Sequence, residues 1–372
     1  MTTVGTLDHA RALLDRLGLG ELDPGDGESP PGRNDNHAGT TSTGHRVFVK
    51  RLRGGRPEAV RRFGRLRRFE ETVAAGGRPP GLPTPACLGW DEDALVVAWE
   101  WLGGARSGHD LAAAGEFDED LARTAGHMIG TLHSLAPERD PDPAADQAAD
   151  PAADPPRLPP VALFDHLPLD YFTEASGACL EGWRMLQPDT GLAAALRDLR
   201  ARESRAPRTP AHCDLRLDQF LRFEGRLHLC DWEEFRPADP ARDVGAFAGE
   251  WLYRAVLEVP SQEDDGPDGD PARAGSRPLS HQEVVARGVR ELARLRTRTA
   301  AFWDGYRRTR PAADPGLAVR AAAFAGWHLI DRMFAAAETR PALTAVDRAA
   351  AGIGRSAVLH PEKFTAALGL EA

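Results

Sequence analysis

Residues 211–235 read AHCDLRLDQFLRFEGRLHLCDWEEF, and no other part of the chain says more about its fold. Two short apolar runs, QFLRF and RLHLCDW, are split by Glu224 and Gly225. A two-residue break ending in glycine between alternating apolar runs predicts a tight β-hairpin. Asp214 and Arg216 lie on the loop before it, Gln219 follows five residues after Asp214, and Asp231 ends the second strand. The hairpin therefore returns Asp231 beside the loop that carries Asp214. Phosphoryl transfer needs a group near the attacking hydroxyl, a positive charge on the moving phosphate and ligands for a cation. Asp214 is placed to accept the hydroxyl's proton, and Arg216 to reach a γ-phosphate. Gln219 and Asp231 would hold magnesium, which takes hard oxygen ligands.

The first hundred residues supply a second signal. HRVFVKRL, residues 45–52, has the β-branched and aromatic character of a strand, and ALVVAWEWL, residues 94–102, reads as a buried one. Between them Val60, Phe63, Leu66, Phe69 and Val73 mark one face of a helix, closed by GGRPPGLPTP. A short leading helix is expected over residues 7–19. Lys50 ends the strand VFVK, and strand period two puts Phe48 on its face. Such a lysine would pair with the α- and β-phosphates of ATP, and the Phe48 ring would stack on adenine. AWEWL would be the hinge whose backbone, at Glu100 and Leu102, hydrogen-bonds the base.

In GRNDNHAGTTSTGHR, residues 32–46, the stretch Gly39–Gly44 has P-loop spacing. His45 and Arg46 stand where Lys-Ser/Thr belongs, however, and a strand follows where a helix is required. A hairpin turn over the phosphates, with Asn34 or Asn36 contributing, is expected instead. After Gly103 and Gly104 the pattern turns helical, around 121–135, 192–201, 283–307, 319–337 and 343–352. Ser280 and Glu283 form a capping box. The clustered Arg61, Arg62, Arg65, Arg67 and Arg68 read as a solvated helix face.

Composition narrows the partners. The formal net charge is -10, but residues 140–156 and 263–270 each carry five acids and no base, which accounts for the whole excess. These are solvated linkers. No basic tract interleaved with aromatics suggests nucleic acid, and no apolar run suggests a membrane span. The four cysteines have no disulfide-like rhythm, which points to the reducing cytoplasm. The histidines lack zinc spacing.

The pattern H-C-D-x-x-x-x-Q followed by D-W-E resembles the H-G-D-x-x-x-x-N and D-W-E motifs of aminoglycoside phosphotransferases. More remotely it resembles the catalytic-loop and D-F-G motifs of protein kinases. ADPARDVGAF, with Asp239 and Asp243, is similar to the segment after D-W-E, whose second Asp braces the catalytic loop. HMIGTLHSL is similar to their helix ending in Leu-His, here Leu132 and His133. Cys213 replaces the usual glycine and Gln219 the usual asparagine.

The resemblance implies an α+β, two-lobed kinase-like fold. Its small α/β N-lobe would span 1–102 and its mostly helical C-lobe 103–372, with flexible inserts near 139–160 and 260–277. It implies an ATP- and magnesium-dependent phosphotransferase acting on an alcohol, with His212 joining Asp214 and Arg216, and Glu233 joining Gln219 and Asp231 on the metal. It also implies a helix glutamate that fixes Lys50. Glu70, four residues after Leu66 and seven after Phe63, shares their inward face and is chosen over Glu71.

PGRNDNHAGTTSTGHRVFVKRL together with RRFGRLRRFE is similar to the kinase-like subunits of class V lanthipeptide synthetases and thioamitide pathways. That likeness implies a ribosomally made precursor peptide whose Ser or Thr is phosphorylated. A separate lyase subunit would then eliminate the phosphate. Arg65 or Arg68 would touch the leader peptide. An aminoglycoside or macrolide kinase, recognising its substrate through residues 161–205 and the C-terminal helices, is the alternative. A pseudokinase scaffold of a biosynthetic complex is the third reading.

Overall fold

The computed structural model describes residues 4–23, 29–30, 32–135, 159–258, 281–311 and 314–371. The acidic linkers at 140–156 and 263–270, nearly all of the expected inserts, and Ser280 of the capping box lie outside these residues. The chain divides into two compact units. One comprises Met1–Phe117, Thr131–Pro155 and Thr209–Pro237; the other comprises Asp118–Gly130, Pro156–Arg208 and Ala238–Ala372. The stretch around the 211–235 hairpin thus packs with the N-terminal sheet in one unit, where a single boundary at 102 would assign it to the C-lobe.

In the first unit, α1 (Val4–Arg16) precedes β1 (Asp35–Thr40), β2 (Arg46–Arg51), α2 (Arg56–Ala75), β3 (Cys87–Asp91) and β4 (Val96–Glu100). The strands form an antiparallel sheet in the order β1-β2-β4-β3. Alternation sorts its side chains cleanly. Val47, Val49, Val96 and Ala98 pack against Ala10, Leu13 and Leu14 of α1. On the opposite face Val97 and Trp99, with Phe48 beside them, pack against Ala59, Phe63 and Leu66 of α2. A sheet between two helices buries both faces, which is why β4 reads as an unbroken apolar run. β1 and β3 escape the sequence reading because DNHAGT and CLGWD carry little β-propensity. Tertiary pairing makes them strands.

β5 (Arg106–Ser107) and α3 (Gly108–Ala113) lead to α4 (Glu119–Leu132), after which His133 is buried. The predicted hairpin is present: β7 (Phe220–Phe223) pairs with β8 (Arg226–Leu229) in register Phe223↔Arg226, and β5 adds to it as a third strand. Glu224 and Gly225 have φ of 47° and 77°, the doubly positive turn that matches strand twist. β6 (Thr209–Ala211) and β9 (Arg236–Ala238) pair with each other on either side of it in sequence.

The second unit is helical: α5 (Leu169–Glu174), α6 (Gly177–Leu186), α7 (Thr190–Arg205), α8 (Ala241–Glu258), α9 (His281–Thr309), α10 (Leu317–Ala337), α11 (Ala345–Leu359) and α12 (Pro361–Leu368). α10 lies at its centre, buried along most of its length. Gly326 and Gly354 let α10 and α11 touch backbone to backbone, since a Cβ on Gly326 would stand 2.6 Å from the Gly354 carbonyl oxygen. Trp327 is buried, and Phe334 stacks on Trp183. His328 is bonded to Glu250 at 2.7 Å. Asp239 caps α8 by accepting from the Ala241 N–H and is held by Arg320 at 2.6 and 2.9 Å. Asp243, in the first turn of α8, is fully buried. Among the described residues no helix is long and apolar enough to cross a membrane.

Candidate active site

Lys50 is the centre of a buried charge cluster in the first unit. Its Nζ donates to Asp231 Oδ1 at 2.8 Å and to Glu233 Oε1 at 2.9 Å. Burial alone would push the Lys50 ammonium toward neutrality. The two carboxylates outweigh that and hold its pKa above the ordinary lysine range. Burial likewise raises Asp231, and the Lys50 charge and hydrogen bond more than offset it, so the carboxyl stays below its usual range. At neutral pH the lysine is therefore charged and Asp231 ionised.

Glu233 is gripped further. Oε1 also accepts from Asn34 Nδ2 at 2.6 Å. Oε2 accepts from Arg62 Nε at 2.8 Å and from Arg62 Nη2. Arg62 then donates to the Arg53 carbonyl at 2.8 Å and to Asn34 Oδ1 at 2.9 Å. Arg62 is only 1% exposed, and Glu233 is also buried. A charge this deep is stable only when paired and hydrogen-bonded, and Arg62 is paired with Glu233 and makes four hydrogen bonds in all. The solvated-face reading of the α2 arginines is thus corrected for Arg62, and also for Arg65, which is half-buried and donates to Glu234 at 2.6 Å. Arg68 is exposed. Trp232 completes the anchor by stacking on Phe69 of α2, centroids 3.5 Å apart.

Glu70 corrects a second expectation. It lies on the inward face of α2, as helical spacing predicts, and is 5% exposed. Its carboxylate accepts from Trp99 Nε1 at 3.0 Å and from Arg78 at 2.9 Å, not from Lys50. Burial raises its pKa, and the bonds to Trp99 and Arg78 work against that. The spacing that selects Glu70 also selects Arg62, four residues before Leu66 and seven before Phe69, so the signal for the missed residue was present.

The nucleotide-loop expectation is also corrected in place. In the β1–β2 register Lys50 faces Asn36, whereas the turn lies beyond Thr40↔Arg46 at the other end of the strands. At about 3.4 Å per residue the turn is more than about 13 Å from Lys50. Its tip is tied instead to the segment after α1: Ser42 N–H donates to the Glu21 carbonyl and Thr43 Oγ1 to that of Leu19. Asn34 and Asn36 do lie at the Lys50 end. Asn36 Nδ2 donates to the Pro30 carbonyl at 3.2 Å, and its Oδ1 is buried with no partner among the described residues. Phe48 shares the Lys50 face, half-buried and 6.2 Å from Trp99. Glu100 ends β4 with its N–H bonded to the Ala86 carbonyl, and Leu102 is buried, its carbonyl accepting from Ala105.

On the loop before the hairpin Asp214 is exposed and Arg216 half-buried, with Arg216 Nε bonded to Asp218 at 3.2 Å. His212 is buried, and its Nε2 is 3.0 Å from the Cys230 carbonyl oxygen. Gln219 is buried too, and its side-chain oxygen accepts from the Arg216 N–H at 2.9 Å. The oxygen expected on a metal thus braces the loop, leaving one lone pair, while Nε2 has no partner among the described residues. No three acidic, histidine or cysteine side chains converge as a metal site among the described residues. Asp231 and Glu233 do converge on one point, Lys50 Nζ. Their oxygens are of the hard type a divalent cation takes.

The fold is shared with solved kinases. An amicoumacin kinase, solved with AMP-PNP and calcium, is 13% identical with a TM-score of 0.53, covering 96% of this chain and 94% of its own. A Plasmodium vivax ethanolamine kinase is 10% identical with a TM-score of 0.53, covering 97% and 89%. A glucosamine kinase is 20% identical with a TM-score of 0.50, covering 95% and 84%. A comparison with curated protein sequences gives no match. The family model described as the phosphotransferase enzyme family, APH, matches residues 31–312, most of the chain and all of the cluster just described; the chain belongs to that family and is a phosphotransferase acting on an alcohol group.

Proposed function

We propose that the chain transfers the γ-phosphoryl group of ATP, with magnesium, to a serine or threonine hydroxyl of a ribosomally made precursor peptide. The observation that carries the chemistry is Lys50, charged and buried between Asp231 and Glu233 at 2.8 and 2.9 Å. A fixed ammonium beside carboxylates of a cation-binding type is what a nucleotide's phosphates require. Lys50 would bind the phosphates, and Asp231 would hold the metal, which when bound neutralises charge on the β- and γ-oxygens. Asp214, exposed on its loop, would accept the proton of the attacking hydroxyl.

The peptide acceptor is supported by the likeness of residues 31–52 and 61–70 to kinase-like subunits of lanthipeptide and thioamitide pathways. A separate lyase would then remove the phosphate. Family membership and the fold of the glucosamine and amicoumacin kinases favour a second reading, a small-molecule hydroxyl. The test is magnesium-dependent transfer from ATP, followed by mass spectrometry, onto Ser/Thr-rich precursor peptides and onto aminoglycosides and macrolides in parallel. Asp214→Asn should lower turnover by roughly 10²-fold or more while nucleotide binding persists. Transfer to small molecules alone would replace the peptide reading, and transfer to neither would favour a scaffold. Undiminished turnover by the Asp214 variant would sink the mechanism.

A further inference from the structure

We propose that Glu233, not Glu70, is the acid that aims Lys50 at the nucleotide, and that Arg62 is the positioning residue that aims Glu233. The inference rests on the phosphotransfer reading and concerns the acidic partner of its lysine.

An ionised carboxylate offers about four acceptor sites, two per oxygen. Glu233 has four protein hydrogen bonds: Lys50 and Asn34 on Oε1, and two from Arg62 on Oε2. It has nothing left to offer a metal, so its place in the D-W-E motif is that of an anchor, not a ligand. Asp231 differs. Its side chain takes one bond, from Lys50 to Oδ1, among the described residues, and Oδ2 remains for a cation.

The Arg62 grip is planar and two-pronged on a single oxygen, and the guanidinium also reaches Asn34 and the Arg53 carbonyl. Arg53 follows β2 and Asn34 precedes β1, so Arg62 ties Glu233 to the two chain segments that flank Lys50. Lysine in its place would supply a point charge without the fork. Glu70 is meanwhile committed to Trp99 and Arg78. When Lys50 turns one N–H to phosphate and releases Asp231, Glu233 stays put, because Arg62 and Asn34 hold it. Lys50 then swings about a fixed partner.

The experiment uses the full chain and four variants: Arg62→Lys, Glu233→Gln, their double, and Glu70→Gln. Three quantities are read: affinity for AMP-PNP with magnesium, the magnesium concentration giving half-maximal ATP turnover, and the melting temperature. Arg62→Lys and Glu233→Gln should each weaken nucleotide binding at least tenfold and raise KM for ATP in parallel. The double variant should be no worse than Glu233→Gln, because Arg62 acts through it. Half-saturating magnesium, measured at saturating ATP, should stay within about twofold.

Glu70→Gln should leave nucleotide affinity within about twofold. Arg62→Lys keeps a charge and a donor at the site, and its melting temperature separates loss of aim from loss of fold. Several results overturn the proposal. One is a large rise in half-saturating magnesium for Glu233→Gln with ATP affinity intact, which would restore Glu233 as a metal ligand. Another is Glu70→Gln matching Glu233→Gln in lost affinity. A third is an Arg62 variant that melts lower yet binds nucleotide normally. A wild-type chain that binds no AMP-PNP would overturn the phosphotransfer reading itself, and is distinguishable because no variant is needed to see it.

Discussion

Cys213 holds a φ of 65°, and Asp231 one of 70°. Left-handed backbone costs an ordinary L-residue roughly 1–2 kcal/mol, and Asp bears it better than most because its short polar side chain bonds locally. Cysteine is not among the residues enriched there. Cys213 stands immediately before Asp214, at the position where the similar motif of aminoglycoside phosphotransferases carries glycine, and its φ gives the physical reason for that glycine. Replacing it with glycine removes the strain but loosens the unfolded chain by about 0.4–1 kcal/mol. Cys213→Gly should therefore stabilise the protein by a net of about 0.5–1 kcal/mol, read as a higher denaturant midpoint at unchanged slope. A lower midpoint would mean that the sulfur packs better than the backbone strains. The sequence showed this substitution plainly, but not its torsion, which only the closed loop imposes.

Helix α2 shows what periodicity can and cannot say. Spacing predicted the helix, its buried Phe63, Leu66, Phe69 and Val73, and the inward place of Glu70, which hold, but it also put Val60 on that face, and Val60 is 45% exposed in the first turns of the helix. It could not say whom a buried charge meets. Glu233 reaches Arg62 across 171 residues of sequence, and Trp99 reaches Glu70 across 29. A cluster of five arginines looks solvated in one dimension, and two of them, Arg62 and Arg65, become structural once an acidic motif docks on it. The Glu70 side of the helix has a consequence for pH. Burial raises its folded pKa above the unfolded value of about 4.3, so the fold binds the proton more tightly than the unfolded chain. The associated stability is fully present below about pH 4 and is lost as pH rises through the folded pKa. Glu70→Gln mimics the protonated form at every pH. The difference in melting temperature, variant minus wild type, should therefore grow more positive between pH 4 and pH 7. A difference that is flat with pH would show that Trp99 and Arg78 fully offset the burial.

Across the whole chain, the parts of the candidate site come from four separated places: Asn34, Lys50, Arg62 and the 214–233 stretch. All fall in the unit made of Met1–Phe117, Thr131–Pro155 and Thr209–Pro237. The chemistry-bearing motifs were legible because hairpin turn, strand and charge are local signals. Strands β1, β3, β5, β6 and β9 and the anchor of Lys50 were not, because pairing across the fold creates them. The cluster is balanced, Lys50 and Arg62 against Asp231 and Glu233. A nucleotide alone would bring excess negative charge to it, while a nucleotide with magnesium brings its own compensation. Stabilisation by a ligand that binds only the folded state follows RT ln(1 + [L]/Kd), about 2.7 kcal/mol at a hundredfold excess over Kd. AMP-PNP with magnesium should accordingly raise the melting temperature by several degrees. AMP-PNP with a chelator should raise it much less, and Lys50→Ala should abolish the shift. With two compact units the unfolding profile need not be one transition; the part that moves is the part that holds Lys50. An equal shift in the Lys50 variant would place the nucleotide elsewhere and remove the cluster's claim to the phosphates.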